Sequence, residues 1–239
     1  MQKLLSTLLL LLIIVNCYAQ EEVPFQIDVT ELDKGLLLYH SYGDYNGNKV
    51  SANGMVVVTK DSVVIIDSPW DNEQTVQLLD WIETEISKPI AAVVITHAHS
   101  DRIGGISVLH ERNIKTVSSQ LTKVYALKRG FEAPTKVFHK EITLNFGDHS
   151  IRVFYPGAGH TVDNTIVYIS PYDVLYGGCF IKSSSSTNLG NTEDADLDSW
   201  GKSIENMQKH FPSPKIVVPG HGNYDPGAVE NTIELLGYK

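Results

Sequence analysis

The sequence predicts an α/β fold in which helices pack outside β-sheets. Two patterns carry that expectation. Apolar runs of strand length, such as Val63–Ile66 and Ile90–Ile95, alternate with amphipathic stretches of helix length, such as 72–87 and 197–211. Clusters of Gly, Asn, Asp and Pro separate them. The 239 residues suffice for one large or two small domains, and 42% hydrophobic residues permit a substantial core, which excludes global disorder.

Residues 36–42 and 54–59 read as strands about the turn Gly43-Asp44-Tyr45-Asn46-Gly47-Asn48, in which Asn46-Gly47 is a strong hairpin signal. Val63–Ile66 reads as a short buried strand. Asp71 caps a helix over 72–87, with Val76, Leu79, Ile82 and Ile86 at helical spacing, and Pro89 ends it. Ile90–Ile95 is the next strand, and Gly104-Gly105 opens a short helix to about His110. A strand over 114–117 and a helix over 121–128 follow. Residues 142–146 and 151–155 flank Gly147-Asp148 as a hairpin. Strands at 165–169 and 174–176 meet across Ser170-Pro171-Tyr172-Asp173. A helix over 197–211, a strand over 216–218 and a helix over 228–236 complete the chain. Two halves, each with strands and helices, are expected, with the break near residues 130–140. The serine run at 183–186 reads as a flexible loop without a catalytic role.

The N-terminus has the form of a secretory signal: Lys3, an apolar stretch over 4–15, then Cys17-Tyr18-Ala19. Cleavage is placed after Ala19, so residues 1–19 are the signal and 20–239 the folded domain. An acylated Cys17 is the alternative, although Asn16 before it is a poor match for a lipoprotein. The apolar stretch is too short to span a bilayer comfortably. The net charge of -9 argues against a nucleic-acid partner held through its phosphates. The chain has two cysteines, and removal of the signal leaves Cys179 alone, so no intramolecular disulfide is expected. Cys179 is then either a small core residue or a thiolate ligand.

The most telling stretch is Thr96-His97-Ala98-His99-Ser100-Asp101-Arg102, directly after an apolar strand. His97 and His99 are two apart, so on an extended segment they point the same way, and Asp101 continues that alternation. Imidazole and carboxylate are ligands for zinc. Three further ligand types sit behind glycine at the ends of predicted strands: His160 in Gly159-His160-Thr161, Cys179 in Gly177-Gly178-Cys179, and His221 in Gly220-His221-Gly222. Six such ligands suffice for two zinc ions with positions left for water. The remaining histidines, His40, His110, His139, His149 and His210, read as ordinary surface or partly buried imidazoles.

This pattern resembles the metallo-β-lactamases over nearly all of the mature chain, and within them the first subclass (B1), which sets a three-histidine site beside an Asp/Cys/His site. Arg102 and Cys179 separate that subclass from thioesterase and nuclease relatives, which usually carry His and Asp there. The resemblance implies an αβ/βα sandwich, two β-sheets flanked by helices, with the metals at one edge. It implies two Zn2+ per chain, with His97, His99 and His160 on the first and Asp101, Cys179 and His221 on the second. It implies Lys182 as the partner of the substrate carboxylate, and Asn191 beside the β-lactam carbonyl as both a catalytic and a binding group. Trp70 matches an aromatic residue of the pocket wall, and Tyr45 lies in the segment that matches a flap over the substrate. The implied activity is hydrolysis of the β-lactam amide of penicillins, cephalosporins and carbapenems by metal-bound hydroxide oriented by Asp101, and hence antibiotic resistance. The implied setting is the periplasm and the implied state a monomer, with no stable membrane association unless Cys17 is lipidated. Asp67 and Arg102 are candidates for orienting the ligands. Two other readings compete: a dizinc hydrolase of another ester, thioester or lactone, and an exported zinc-binding protein without catalysis.

Overall fold

The computed structural model describes residues 25–238, so the signal and Cys17 lie outside the described residues. Twelve strands form two sheets. The first sheet has seven strands in sequence order: β1 (Asp28–Asp33), β2 (Leu36–Tyr45), β3 (Asn48–Val58), β4 (Val63–Ile66), β5 (Ile90–Ile95), β6 (Thr116–Ser119) and β7 (Lys136–Phe138). Pairing is antiparallel from β1 to β4 and parallel from β4 to β7. The second sheet has five strands: β8 (Glu141–Phe146), β9 (His149–Phe154), β10 (Ile166–Ser170), β11 (Val174–Gly178) and β12 (Ile216–Pro219). Its pairing is antiparallel apart from β11 and β12, which run parallel. The chain passes from one sheet to the other between Phe138 and Glu141, at the end of the expected break.

Helices cover the outer face of each sheet. Against the first lie α1 (Asn72–Trp81), α2 (Ser100–Ile103), α3 (Ile106–Glu111) and α4 (Gln120–Lys128); against the second lie α5 (Leu197–His210) and α6 (Ala228–Leu235). The layers are therefore helix, sheet, sheet, helix. β4 displays the logic in four residues. Val64 and Ile66 enter the core between the sheets, whereas Val63 and Ile65 pack under the helices. A strand covered on both faces is apolar throughout rather than alternating, which is why this run has no polar face. The inner core joins Leu36, Met55, Val94, Ile151, Val167 and Val218. The outer core of the second sheet is built on Trp200, Ile204 and Met207 of α5 against Phe154, Leu175 and Phe180.

Asp71 caps α1 as its sequence position requires: its carboxylate accepts from the Gln74 backbone N–H at 2.8 Å. Beyond Trp81 the helix continues as one π-type turn, Ile82–Ile86, and stops at Ser87 in the left-handed region. Removing a side-chain cap typically costs about 1 kcal/mol. Asp71→Ala is therefore expected to lower stability by about that much in urea unfolding with an unchanged m-value.

Four expectations need correction. The β2–β3 hairpin is longer than expected, running to Tyr45 and Asn48 about a two-residue turn in which Asn46 and Gly47 have φ of 54° and 76°. That turn matches the strand twist, so the ladder carries polar residues 43–53 into strands although they lack strand composition. β1 and β7 were not expected; each is held at a sheet edge by its backbone ladder more than by an apolar face. α2 replaces the extended segment expected through Asp101. The serine run is not a free loop: Asn231 of α6 donates to the Ser183 and Ser186 carbonyls at 2.7 and 3.0 Å, and Ser184 bonds Asp225.

Candidate metal centre

All six expected ligands come together at one edge of the sandwich, at the carboxyl ends of strands. His97 and His99 follow β5, and the turn between them is fixed from below. Asp67 accepts from the Thr96 backbone and hydroxyl at 2.7 and 2.9 Å, and Asp163 accepts from the Ala98 N–H at 3.0 Å. His99 is still extended, at φ −92° and ψ 153°, but Ser100 starts α2, so Asp101 projects from a first helical turn. From there its carboxylate also reaches the residues that follow β11 and β12, Cys179 and His221. His160 lies in the loop after β9, Cys179 directly after β11 and His221 directly after β12.

The His97, His99 and His160 rings lie 4.8, 5.1 and 5.3 Å apart between centroids and stand nearly perpendicular to each other. Three imidazoles thus converge on one point. Burial pushes the His97 and His160 imidazoles well below their usual pKa, so both are neutral; His99 adds to the effect at His97 and Lys182 at His160. His97 Nε2 and His160 Nδ1 are buried without a hydrogen-bond partner. Buried polar atoms are rarely left unpaired, and here a cation is the natural partner. His99 Nε2 lies 2.9 Å from an Asp194 carboxylate oxygen, so it carries the proton and leaves Nδ1 as its ligand atom.

Asp101, Cys179 and His221 form the second group. Cys179 Sγ, Asp101 Oδ2 and His221 Nε2 stand at the corners of a triangle with 3.3 Å sides. His221 Nδ1 donates to the Ser51 carbonyl at 2.6 Å, which turns Nε2 towards the other two. Burial opposes a charge on Asp101, but Arg102 and His221 outweigh it and hold the carboxyl well below the usual range. Burial likewise lowers His221, and Cys179 with Asp101 overcomes it, raising the imidazole to about 9. The two groups adjoin: the ligand atoms of His97, His160 and Cys179 lie within 4.8 Å of each other, as do those of His97, His99 and Asp101. Three imidazoles beside a carboxylate, a thiol and an imidazole is a donor set suited to zinc.

Two glycines are needed for this approach. A Cβ on Gly159 would meet the Phe180 ring at 2.6 Å, and one on Gly220 would meet the Cys179 backbone nitrogen at 2.5 Å. Neither His160 nor His221 could reach its place from an alanine neighbour.

Arg102 is fully buried behind the second group. Its Nη2 donates to Cys179 Sγ at 3.1 Å and to the Gly220 carbonyl at 2.7 Å. Its Nη1 donates to the Asn53 carbonyl and, at 2.7 Å, to the Tyr176 hydroxyl. Nε is 2.9 Å from Asp101 Oδ2, an ion pair rather than an aligned hydrogen bond. Asp67 Oδ2 is 3.6 Å from Nη1, and burial raises its carboxyl to about 6 against the pull of Arg102. Asn53 also ties the His221 loop down, donating to the Pro219 and Gly222 carbonyls at 2.9 and 2.8 Å.

Five of the six candidate ligands, all but His97, line a cleft of about 720 Å³, and the four other expected site residues line it as well. Trp70 stands in its wall against Gly43 of β2, where a Cβ would strike the ring at 2.2 Å. Tyr45, at the hairpin tip, is 43% exposed. Lys182 is buried, its ammonium 5.4 Å from the Trp200 ring; burial lowers its pKa, and Cys179 and Asp101 oppose that. Asn191 Oδ1 accepts from the Glu193 N–H at 2.9 Å, which leaves its amide N–H groups for the cleft. The other histidines stay outside: His110 bonds Glu132, His149 bonds Asp148, and His210 bonds Glu141. Sequence reasoning missed Asp194, Asp163, Asn53 and Tyr176. Nothing in their sequence context distinguishes them from turn formers, a surface acid or a strand aromatic.

The chain is similar to known proteins over most of its length. The sequence model of the metallo-beta-lactamase superfamily matches residues 47–221. A type 2 metallo-beta-lactamase of Bacillus sp. (strain 170) is 43% identical over 211 residues, 88% of this chain and 82% of that protein. The type 2 metallo-beta-lactamase of Bacillus cereus is 41% identical over the same shares. Among solved structures, a metallo-beta-lactamase from Pontibacter korlensis superposes with a TM-score of 0.86 at 37% identity, covering 90% of this chain and all of that one.

Proposed function

The chain belongs to the metallo-beta-lactamase superfamily, and from that premise we propose that it is a zinc-dependent hydrolase of the β-lactam amide of penicillins, cephalosporins and carbapenems, conferring antibiotic resistance. The observation that carries this reading is the meeting of two three-donor groups at a single cleft. His97, His99 and His160 would hold one zinc and Asp101, Cys179 and His221 a second, as in the B1 subclass. Zinc held there supplies a water activated near neutral pH and positive charge for the carbonyl oxygen.

The remaining work falls to the chain's own groups. Lys182 pairs with the carboxylate of the drug; the side chain is already buried, with its ammonium near the Trp200 ring, so little ordering remains to be done on binding. Asn191, with its oxygen occupied by Glu193, turns its amide N–H to the lactam carbonyl, where negative charge develops. Asp101 lines the cleft and orients the attacking water. Trp70 and Tyr45 supply an apolar wall that excludes water from the opened ring. Residues 1–19 act as the export signal, placing the mature domain, 20–239, in the periplasm as a monomer. Among the described residues no helix is long and apolar enough to cross a membrane.

Hydrolysis of a penicillin, a cephalosporin and a carbapenem by the purified mature chain tests the reading. Turnover of any of them supports it. Two bound zincs with no turnover of all three would move the activity to another ester or thioester. Lys182→Ala separates an enzyme from a zinc-binding protein. Loss of a charged hydrogen bond worth about 1.5–3 kcal/mol should raise KM roughly 10- to 100-fold for carboxylate-bearing substrates while kcat changes little.

A further inference from the structure

Asp194 lies in the irregular segment between β11 and α5, half exposed, yet it holds the ring of a buried-site histidine. What keeps it there is a cation at the end of a neighbouring helix. Arg129, at the C-terminal end of α4, donates through Nη2 to Asp194 Oδ2 at 2.7 Å, the same oxygen that lies 2.9 Å from His99 Nε2. The guanidinium is itself fixed. Its carbon lies 5.2 Å from the Tyr125 ring, one helical turn earlier, and the Arg129 backbone N–H closes the last turn of α4. Arg129 and Asp194 both line the cleft. A cation on a rigid helix end thus pins a carboxylate on a loop, and the carboxylate pins an imidazole.

We propose that Arg129 is a positioning residue of the metal centre, acting through Asp194 to fix the orientation and tautomer of His99. The inference rests on the zinc-dependent reading above. A loop carboxylate without this anchor gains rotamer freedom and turns to solvent, and His99 then loses the partner that commits its proton to Nε2. Partners of this kind are typically worth 10- to 100-fold in metal affinity. The pair spans 65 residues of sequence, so neither member marks the other.

The experiment is zinc titration of the purified mature chain against a chromophoric chelator, for wild type, Arg129→Met, Arg129→Lys, Asp194→Asn and the Met/Asn double variant, with Tm measured on the metal-free proteins. Arg129→Met should weaken one of the two zinc sites by about 10-fold or more, Arg129→Lys should recover much of that, and the metal-free Tm should hardly move. Arg129→Met should add little in the Asp194→Asn background, because both changes cut one chain of contacts. Unchanged zinc affinity in Arg129→Met, or an equal loss in both backgrounds, overturns the proposal while the zinc reading stands. A wild-type chain that binds no zinc overturns both.

Discussion

Stripping metal from the mature chain with a chelator is expected to abolish β-lactam turnover, and returning zinc is expected to restore it. The argument starts from the buried nitrogens. His97 is 1% exposed and its Nε2 has no partner in the protein, and a cation would satisfy it. Of the serines that line the cleft, Ser100, Ser185 and Ser186, none is hydrogen-bonded to a histidine as a nucleophile activated by a base would be; Ser185 and Ser186 bond Ser183 instead. The serine run therefore offers no second route to ring opening. His97→Ala should reproduce the loss in part, with kcat/KM lower by about three powers of ten, since a Lewis acid is worth several kcal/mol at the transition state. Full activity after exhaustive chelation, with metal content verified, would refute the metal-dependent reading.

Arg102→Met is expected to have the largest effect on stability, about 3–5 kcal/mol in the metal-free protein, the usual cost of removing one partner from a buried ion pair. That is a large fraction of the roughly 5–15 kcal/mol that holds a typical domain folded. The cost arises from what is left behind. Asp101, Asp67 and Cys179 would lose their buried counter-charge, and the Asn53 and Gly220 carbonyls would lose donors. Arg102→Lys keeps the charge but not the fork that donates to Asn53, Tyr176, Cys179 and Gly220 at once, so it should fall between wild type and Arg102→Met. Zinc should narrow the gap, because a cation between Asp101 and Cys179 neutralises the same charges. Urea unfolding of the metal-free and zinc-loaded proteins measures both effects. A change within about 0.5 kcal/mol, the range of an inconsequential surface substitution, would mean that Arg102 is no keystone.

The candidate ligands were legible because each is a chemically distinctive side chain near a strand end, three of them in one run and three behind a glycine, and those signals are local. The strands β4 and β5 were legible to the residue because burial on both faces leaves an unbroken apolar run. β1 and β7 were not, because an edge strand is specified by its neighbour's unpaired backbone groups, which no side chain reports. Asp101 shows the boundary most clearly. Its candidacy as a ligand was readable in the His-x-His-x-Asp spacing, but its reach to Cys179 and His221 depends on α2 starting at Ser100.

By itself the sequence determined the α/β class, the six donors, the lysine and asparagine of the cleft and the change of sheet near residue 140. The class and the six candidate donors follow from residue type and short-range periodicity, which neighbouring positions encode; the lysine and asparagine follow only from the family resemblance. Only the tertiary structure decided that Asp101 stands in a first helical turn, that His99 turns Nε2 to Asp194, and that Arg102, Asn53, Asp163, Asp194 and Arg129 pack behind the candidate donors. Those contacts join residues far apart in the chain, such as Arg102 with Gly220, and a buried hydrogen bond exists only once packing has excluded water and aligned its two ends.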